Sequence, residues 1–380
     1  MNYNLQINQD KICCISHSNF KGGSETYINN IIKNSELNLD WFFFESDINK
    51  SFDIKSQKLL GKLPRNLIKR TIYFFQVINK INNIGYKNII TFGFYPSFVG
   101  LIIKIIKPNI FWTVTQREEY SWANKFHKIM IYLFQLLSNR IETNAFHIKK
   151  KLSVKPFLKK KIFYCPNLIW ENEKKLNKLS FLDKGLIYQK RKIILFIANN
   201  RPLKSANLAI EVFKKIYMND KKIIFIIVGR GYEKIKTNLL QNDLFKENFL
   251  FTGELSNGEV RELMQIGNLL LFLSKTEASP NTIIESIYNN LPIIARPIEA
   301  LENIIGNDQN GLFLKELDPE SISEFILNII YSEHDLLKLK ERMKKSIISN
   351  KKFFSNHTFC SFPIRSGFYI KEFFNDDLIK

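Results

Sequence analysis

Short apolar runs alternate with longer amphipathic stretches along most of the chain, the pattern of βα units built on a parallel sheet. In the first half, KICCIS (11–16), LDWFFFE (39–45), KNIITFG (87–93) and NIFWTVT (109–115) predict strands, and ETYINNIIKN predicts a helix after the first. The alternation then restarts. KIILFIAN (192–199), KIIFIIVG (222–229), NFLFTG (248–253), LLLFLS (269–274) and PIIAR (292–296) predict strands. SANLAIEVFKKIYM, NGEVRELMQIG and PNTIIESIYNN predict helices between them. The stretch ENEKKLNKLSFLDKGLIYQKRK (171–192) is charged and weakly periodic, as a linker or loop would be. No repeat of 20 to 50 residues is visible. The expected architecture is α/β, with two Rossmann-like, doubly wound domains facing each other. Ligands of such sheets bind beyond the carboxyl ends of the strands, so the interdomain cleft is the expected site. The expected boundaries are 1–165 and 166–360, with the aromatic tail FYIKEFF (368–374) predicting a helix within 361–380 that returns to the first domain.

A length of 380 residues agrees with two cores of ordinary size. The net charge of +20 is uneven. Residues 1–165 hold 25 Lys/Arg against 10 Asp/Glu, and subtraction from the whole-chain totals leaves 31 against 26 for the rest. The excess is densest at 128–165, with 9 basic residues against 1 acidic. Such a half suits an anionic partner, with a plain solvated basic surface as the alternative reading. None of the usual nucleic-acid modules is present, so a membrane surface is the expected partner and nucleic acid is not. Cys13, Cys14, Cys165 and Cys360 show no ligand spacing, so no metal site is expected. Adjacent thiols in an apolar run suit a reduced, cytoplasmic protein. The N-terminus lacks the apolar core of a signal peptide, and the greasiest window, FVGLIIKIIKPNIFW (98–112), is too short and too broken to span a bilayer. The expectation is a cytoplasmic protein, peripheral at most on the inner membrane face.

Three stretches carry chemistry. SHSNFKGGSETYINN (16–30) takes a strand through Gly22 and Gly23 to a helix start at Ser24, where backbone amides could approach an anion. It lacks the third glycine of a dinucleotide fingerprint, which argues against an oxidoreductase. NNRPLKSANLAIEVF (199–213) brackets another helix start with Arg201 and Lys204, placed to meet a diphosphate. SKTEASPNTIIES (274–286) sets Glu277 before a helix and Glu285 inside it, with Ser279 as the expected N-cap, Pro280 at the first helical position, and Asn281 and Thr282 offering amides. The two carboxylates read as an acid/base pair, as two ligand contacts, or as the polar start of a surface helix. An amide-lined turn between them favours ligand contacts over proton transfer at one bond.

EASPNTIIE resembles the Glu-x7-Glu signature of retaining GT-B glycosyltransferases, family 4 among the nucleotide-sugar-dependent enzymes (glycosyl transferases group 1). GGSE, YCPNLI, RPLK, IIVGRG, FTGELS and ALENIIGNDQNGLFL (300–314) follow in the family's order. The resemblance is specific over 190–330 and loose over 1–165. It implies an acceptor-binding first domain, a donor-binding second domain and no metal requirement. By the same resemblance, Glu285 binds the nucleotide ribose, Glu277 the donor sugar, and Arg201 and Lys204 the diphosphate, with Gly22 and Gly23 near the reacting phosphate. Ser279, Pro280, Asn281 and Thr282 complete the donor turn. The implied reaction passes a hexose-type sugar to a glycan or lipid-linked saccharide in cell-surface polysaccharide synthesis. The sequence departs from the family at Ala278 and Ser205, usually glycines, at Asn199-Asn200, usually Gly-Arg, and at Gln116-Arg117-Glu118, where many relatives carry a histidine. Those departures keep open a second reading, a nucleotide-sugar-binding or partner protein impaired in catalysis. His17 is a further residue to follow, since it precedes the Gly-Gly turn.

Overall fold

In a computed structural model, the described residues are 11–19, 24, 25, 27–29, 39–46, 57–120, 122–165, 167, 191–306 and 310–349. They fall in two compact units, one within Met1–Asn167 and the other within Leu168–His357. The stretch 171–190 and the tail 361–380, read above as linker and returning helix, lie outside the described residues.

The first unit is a seven-stranded sheet in the order β3-β2-β1-β4-β5-β6-β7. Its strands are β1 Ile12–Ser18, β2 Leu39–Glu45, β3 Gln57–Leu59, β4 Asn88–Phe92, β5 Phe111–Thr115, β6 Arg140–Thr143 and β7 Ile162–Tyr164. All neighbours pair in parallel. Parallel sheets are covered on both faces, which is why β2 and β4 read as nearly continuous apolar runs. Helices Leu67–Asn82, Phe94–Ile106 and Lys125–Leu137 make crossovers between them. The greasy window at 98–112 proves to be part of one such helix and of β5. Among the described residues, no helix is long and apolar enough to cross a membrane.

The second unit is a six-stranded parallel sheet in the order β10-β9-β8-β11-β12-β13. Its strands are β8 Ile193–Ile197, β9 Ile224–Val228, β10 Phe249–Gly253, β11 Leu269–Phe272, β12 Ile293–Ala295 and β13 Leu312–Phe313. Alternate residues of β8 feed opposite cores. Ile194 and Phe196 pack with Phe213 and Phe225, whereas Ile193 and Leu195 pack with Leu263 and Ile283. The chain runs outward from β8 through β9 to β10, then returns to β11 on the other side of β8. The helices that follow β8 and β11 therefore lie on opposite faces of the sheet, at a topological switch point whose crevice opens at the carboxyl edge. In the first sheet the same switch lies between β1 and β4.

Candidate functional site

The loop after β8 is built first by two asparagines. The Asn199 side-chain oxygen accepts from the Arg230 amide at 2.9 Å, and the Asn200 side-chain amide donates to the Gly231 carbonyl at 2.7 Å. They clasp the Gly-Arg-Gly turn that follows β9. Only glycine fits at 229, where φ is 137° and an added Cβ would stand 2.2 Å from the Ala198 carbonyl oxygen. Tyr232 closes the clasp by donating its hydroxyl to the same carbonyl at 2.8 Å. Burial pushes that hydroxyl's pKa well up, so it remains a neutral donor.

Beyond the clasp, Arg201 is exposed, and its side chain makes no hydrogen bond or ion pair among the described residues. One short turn, Pro202–Lys204, then leads into helix Ala206–Asn219 through Ser205. Ser205 adopts the left-handed conformation, φ 56° and ψ 40°, and makes no side-chain cap bond. The chain needs that reversal to turn from the Lys204 turn into the helix. It is a conformation that glycine adopts at less cost.

The loop after β11 meets this one directly. The Lys275 amide donates to the Leu203 carbonyl at 2.8 Å. Two residues further on, the Glu277 carboxylate forms an ion pair with the Lys204 ammonium. Both side chains are partly exposed, Lys204 at 27% and Glu277 at 18%. Helix Asn281–Tyr288 follows, and its cap differs from the sequence expectation by one residue. Pro280, not Ser279, is the N-cap, because the Ile283 and Ile284 amides both bond to the Pro280 carbonyl. A cap residue needs no amide of its own, which suits proline's missing N–H. Asn281 and Thr282 thus occupy the first two helical positions, whose amides have no acceptor within the helix. Glu285 lies one turn further along, its backbone carbonyl receiving both the amide and the side chain of Asn289. Two loops from the switch point thereby converge, with a paired Lys204 and Glu277, an open Arg201 and a helix start beside them. The arrangement suits a ligand carrying negative charge at one end and hydroxyls at the other.

Residues 178–349 match the model of the family described as glycosyl transferases group 1. That segment is similar to a glycosyltransferase domain of that group. Across 329 residues the chain is 21% identical to a 41.2 kDa protein of the cps region of Klebsiella pneumoniae, covering 80% of this chain and 86% of that one. An alpha-monoglucosyldiacylglycerol synthase of Acholeplasma laidlawii is 26% identical over 160 residues, 42% of this chain and 39% of the synthase. In fold, the chain resembles Anabaena Alr3699/HepE in complex with UDP-glucose, with a TM-score of 0.71 at 14% identity over 90% of this chain and 95% of the other. It likewise resembles WaaG, a glycosyltransferase involved in lipopolysaccharide biosynthesis, with a TM-score of 0.66 at 12% identity over 89% and 95%. The fold is accordingly GT-B.

Within the matched segment, the structure brings Lys204, Glu277 and the helix start at Asn281 onto two adjoining loops. Asn199, Asn200, Gly229 and Gly231, which sequence reasoning did not select, hold those loops in place. The signal was present in VGRG, whose glycines follow a strand. Gly22 and Gly23 lie outside the described residues. Nearby, Ser24, Glu25 and Tyr27–Asn29 are helical. Glu25 accepts a hydrogen bond from the Ser18 hydroxyl at 3.1 Å, while burial raises its pKa. His17 ends up half-exposed near the end of β1, 4.0 Å from Glu45 and in ring contact with Phe44 and Tyr95. Arg117, which follows β5, is not free. Its guanidinium donates to Glu142 and to Asn167, and lies 3.7 Å from the Tyr27 ring centre. Burial alone would lower its pKa, but the Glu142 carboxylate outweighs that and fixes the positive charge.

Proposed function

We propose that this chain is a retaining, metal-independent hexosyltransferase, passing a sugar from a nucleotide donor to a glycan or lipid-linked saccharide in cell-surface polysaccharide synthesis. The observation that carries the proposal is the Lys204–Glu277 pair, joining the β8 and β11 loops beside the helix start at Asn281. Lys204 and Arg201 hold the donor diphosphate, together with the amides at Asn281 and Thr282. Ser279 and Pro280 shape that turn, and the family resemblance assigns Gly22 and Gly23 to the reacting phosphate. Glu285 takes the ribose hydroxyls. Glu277 hands Lys204 over to the diphosphate and turns to the sugar hydroxyls. As the glycosidic bond to the donor breaks, negative charge grows on the leaving nucleoside diphosphate, and the two cations stabilise it. A donor phosphate oxygen takes the acceptor hydroxyl's proton on the face from which the diphosphate leaves, so the anomeric configuration is kept.

The UDP-glucose complex of HepE supports a nucleotide-sugar donor. The cps-region relative supports a polysaccharide product, and the diacylglycerol-linked product of the Acholeplasma enzyme supports a lipid-linked acceptor at an anionic membrane surface. A second reading, binding without transfer, is favoured by Arg117. It stands where many relatives carry a histidine, yet it is committed to Glu142 and Tyr27.

A thermal-shift series with UDP-, GDP- and ADP-sugars tests the donor. A donor at about 100 times its dissociation constant adds about 2.7 kcal/mol to stability. Glu285→Ala should abolish most of that shift. If no nucleotide sugar raises the melting temperature, the donor assignment is wrong. A shift without hydrolysis or transfer selects the second reading.

A further inference from the structure

Exposed apolar side chains are unevenly shared between the two units. Among the described residues, fifteen large ones lie in the first unit and five in the second. The densest group is on helix Lys125–Leu137. That helix buries Met130 and Phe134, the latter against Phe94 and Trp112. On its outer side it exposes Phe126, Ile129, Tyr132 and Leu136 at steps of three, three and four, a continuous helical face. The face extends onto the next segment, where Phe157 meets the Tyr132 ring at 6.1 Å. Val154, 80% exposed, stands beside it in sequence.

The rim of this face is basic. Lys125 and Lys128 flank it on the helix, and Lys155, Lys159 and Lys160 follow in the Phe157 segment, all exposed. The Lys155 ammonium lies 5.1 Å over the Tyr132 ring. The carboxylates near at hand are engaged. Glu142 is buried on Arg117, Glu119 is paired with Lys151 at 2.8 Å, and Glu118 accepts from the Trp122 indole. An interface between copies of this chain would set these lysines against one another, whereas anionic headgroups neutralise them while the acyl boundary takes the apolar side chains.

We infer that this face docks the protein on an anionic lipid surface, with Phe126, Ile129, Tyr132 and Phe157 entering the headgroup boundary and the lysines contacting lipid phosphates. The inference deepens the membrane partner of the proposed reaction, but lipid binding needs neither donor nor turnover. Its failure is therefore separable from failure of the transferase reading.

Sedimentation of the full chain with phosphatidylcholine vesicles, with and without a phosphatidylglycerol fraction, is the test. Binding should require the anionic lipid and fade as salt approaches about 1 M, where the Debye length is about 3 Å. The pair Phe126→Ser with Ile129→Ser should weaken binding by about tenfold or more, since each removes an apolar anchor. Lys128→Glu with Lys155→Glu should weaken it by a similar factor at low salt. Circular dichroism and nucleotide-sugar thermal shift should stay unchanged in both variants, because all four side chains are exposed. Equal binding of both variants and wild type would overturn the assignment, as would equal binding to neutral vesicles. A variant that leaves lipid binding intact but changes the sedimentation of the free protein would instead mark a self-interface and overturn it too.

Discussion

Ser205 combines two small penalties at one position. Its left-handed backbone costs an L-residue about 1–2 kcal/mol, and its hydroxyl is buried without a hydrogen-bond partner. Ser205→Gly removes both at the expense of some chain entropy, so the denaturant midpoint should rise, by up to about 1 kcal/mol in stability. A fall in the midpoint would mean that the hydroxyl has a stabilising role. Next to it, Lys204 and Glu277 should behave in the opposite way. A partly exposed pair is worth about 0–1 kcal/mol, so Lys204→Ala and Glu277→Gln should leave the melting temperature nearly unchanged. Transfer, however, should drop by about 100-fold or more for Lys204→Ala, as loss of one stabilising donor does elsewhere. Turnover that survives Lys204→Ala would dismiss this lysine from the reaction.

At the scale of elements, the glycine turn after β9 and the start of β2 each give a sharp expectation. Gly229→Ala drives a methyl group into the Ala198 carbonyl at a positive φ, which should cost about 2–4 kcal/mol and loosen the Asn199 clasp. Asp40 ties three strand starts together. It pairs with Lys11 at 2.9 Å and Lys58 at 2.7 Å, and accepts from the Tyr86 hydroxyl. Burial raises the Asp40 pKa, but those three hydrogen bonds together outweigh it and hold the carboxyl below its ordinary value. Since the folded pKa is the lower one, the group's stabilisation is complete above the unfolded value of about 4 and disappears as pH falls through the folded value. Asp40→Asn should lower stability at neutral pH and flatten its decline in acid. Urea midpoints measured across that range decide the matter, and an unchanged slope counts against it.

Seen as a whole molecule, the fold was largely legible because parallel sheets write their central strands as apolar runs. The strands that were not legible are β3, β6, β7 and β13. Each has two to four residues, and β6 reads RIET, which a pattern of apolar positions rejects. Two contacts bury its charges: the Arg140 guanidinium lies 3.6 Å from the Phe163 ring centre, and Glu142 holds Arg117. Such partners are far away in sequence. Of the candidate site, the sequence singled out Lys204 and Glu277, which the structure pairs, and passed over the loop-holding role of Asn199 and Asn200, whose side chains serve the backbone. The helix cap slipped by one residue because Ser279 and Pro280 both satisfy local rules, and only the bonds to the Pro280 carbonyl choose between them.

The bond from Lys204 to Glu277 spans 73 residues of chain. A growing chain that has reached Gly253 already contains β8, β9 and β10 but has no partner for Lys204. The contact can form only after β11 has returned to the middle of the sheet, so it belongs to the late events of folding. In the native protein it should also be early to open. The Lys275 amide, bonded to Leu203 across the same gap, should exchange with solvent through a smaller opening free energy than the central amides of β8 and β11.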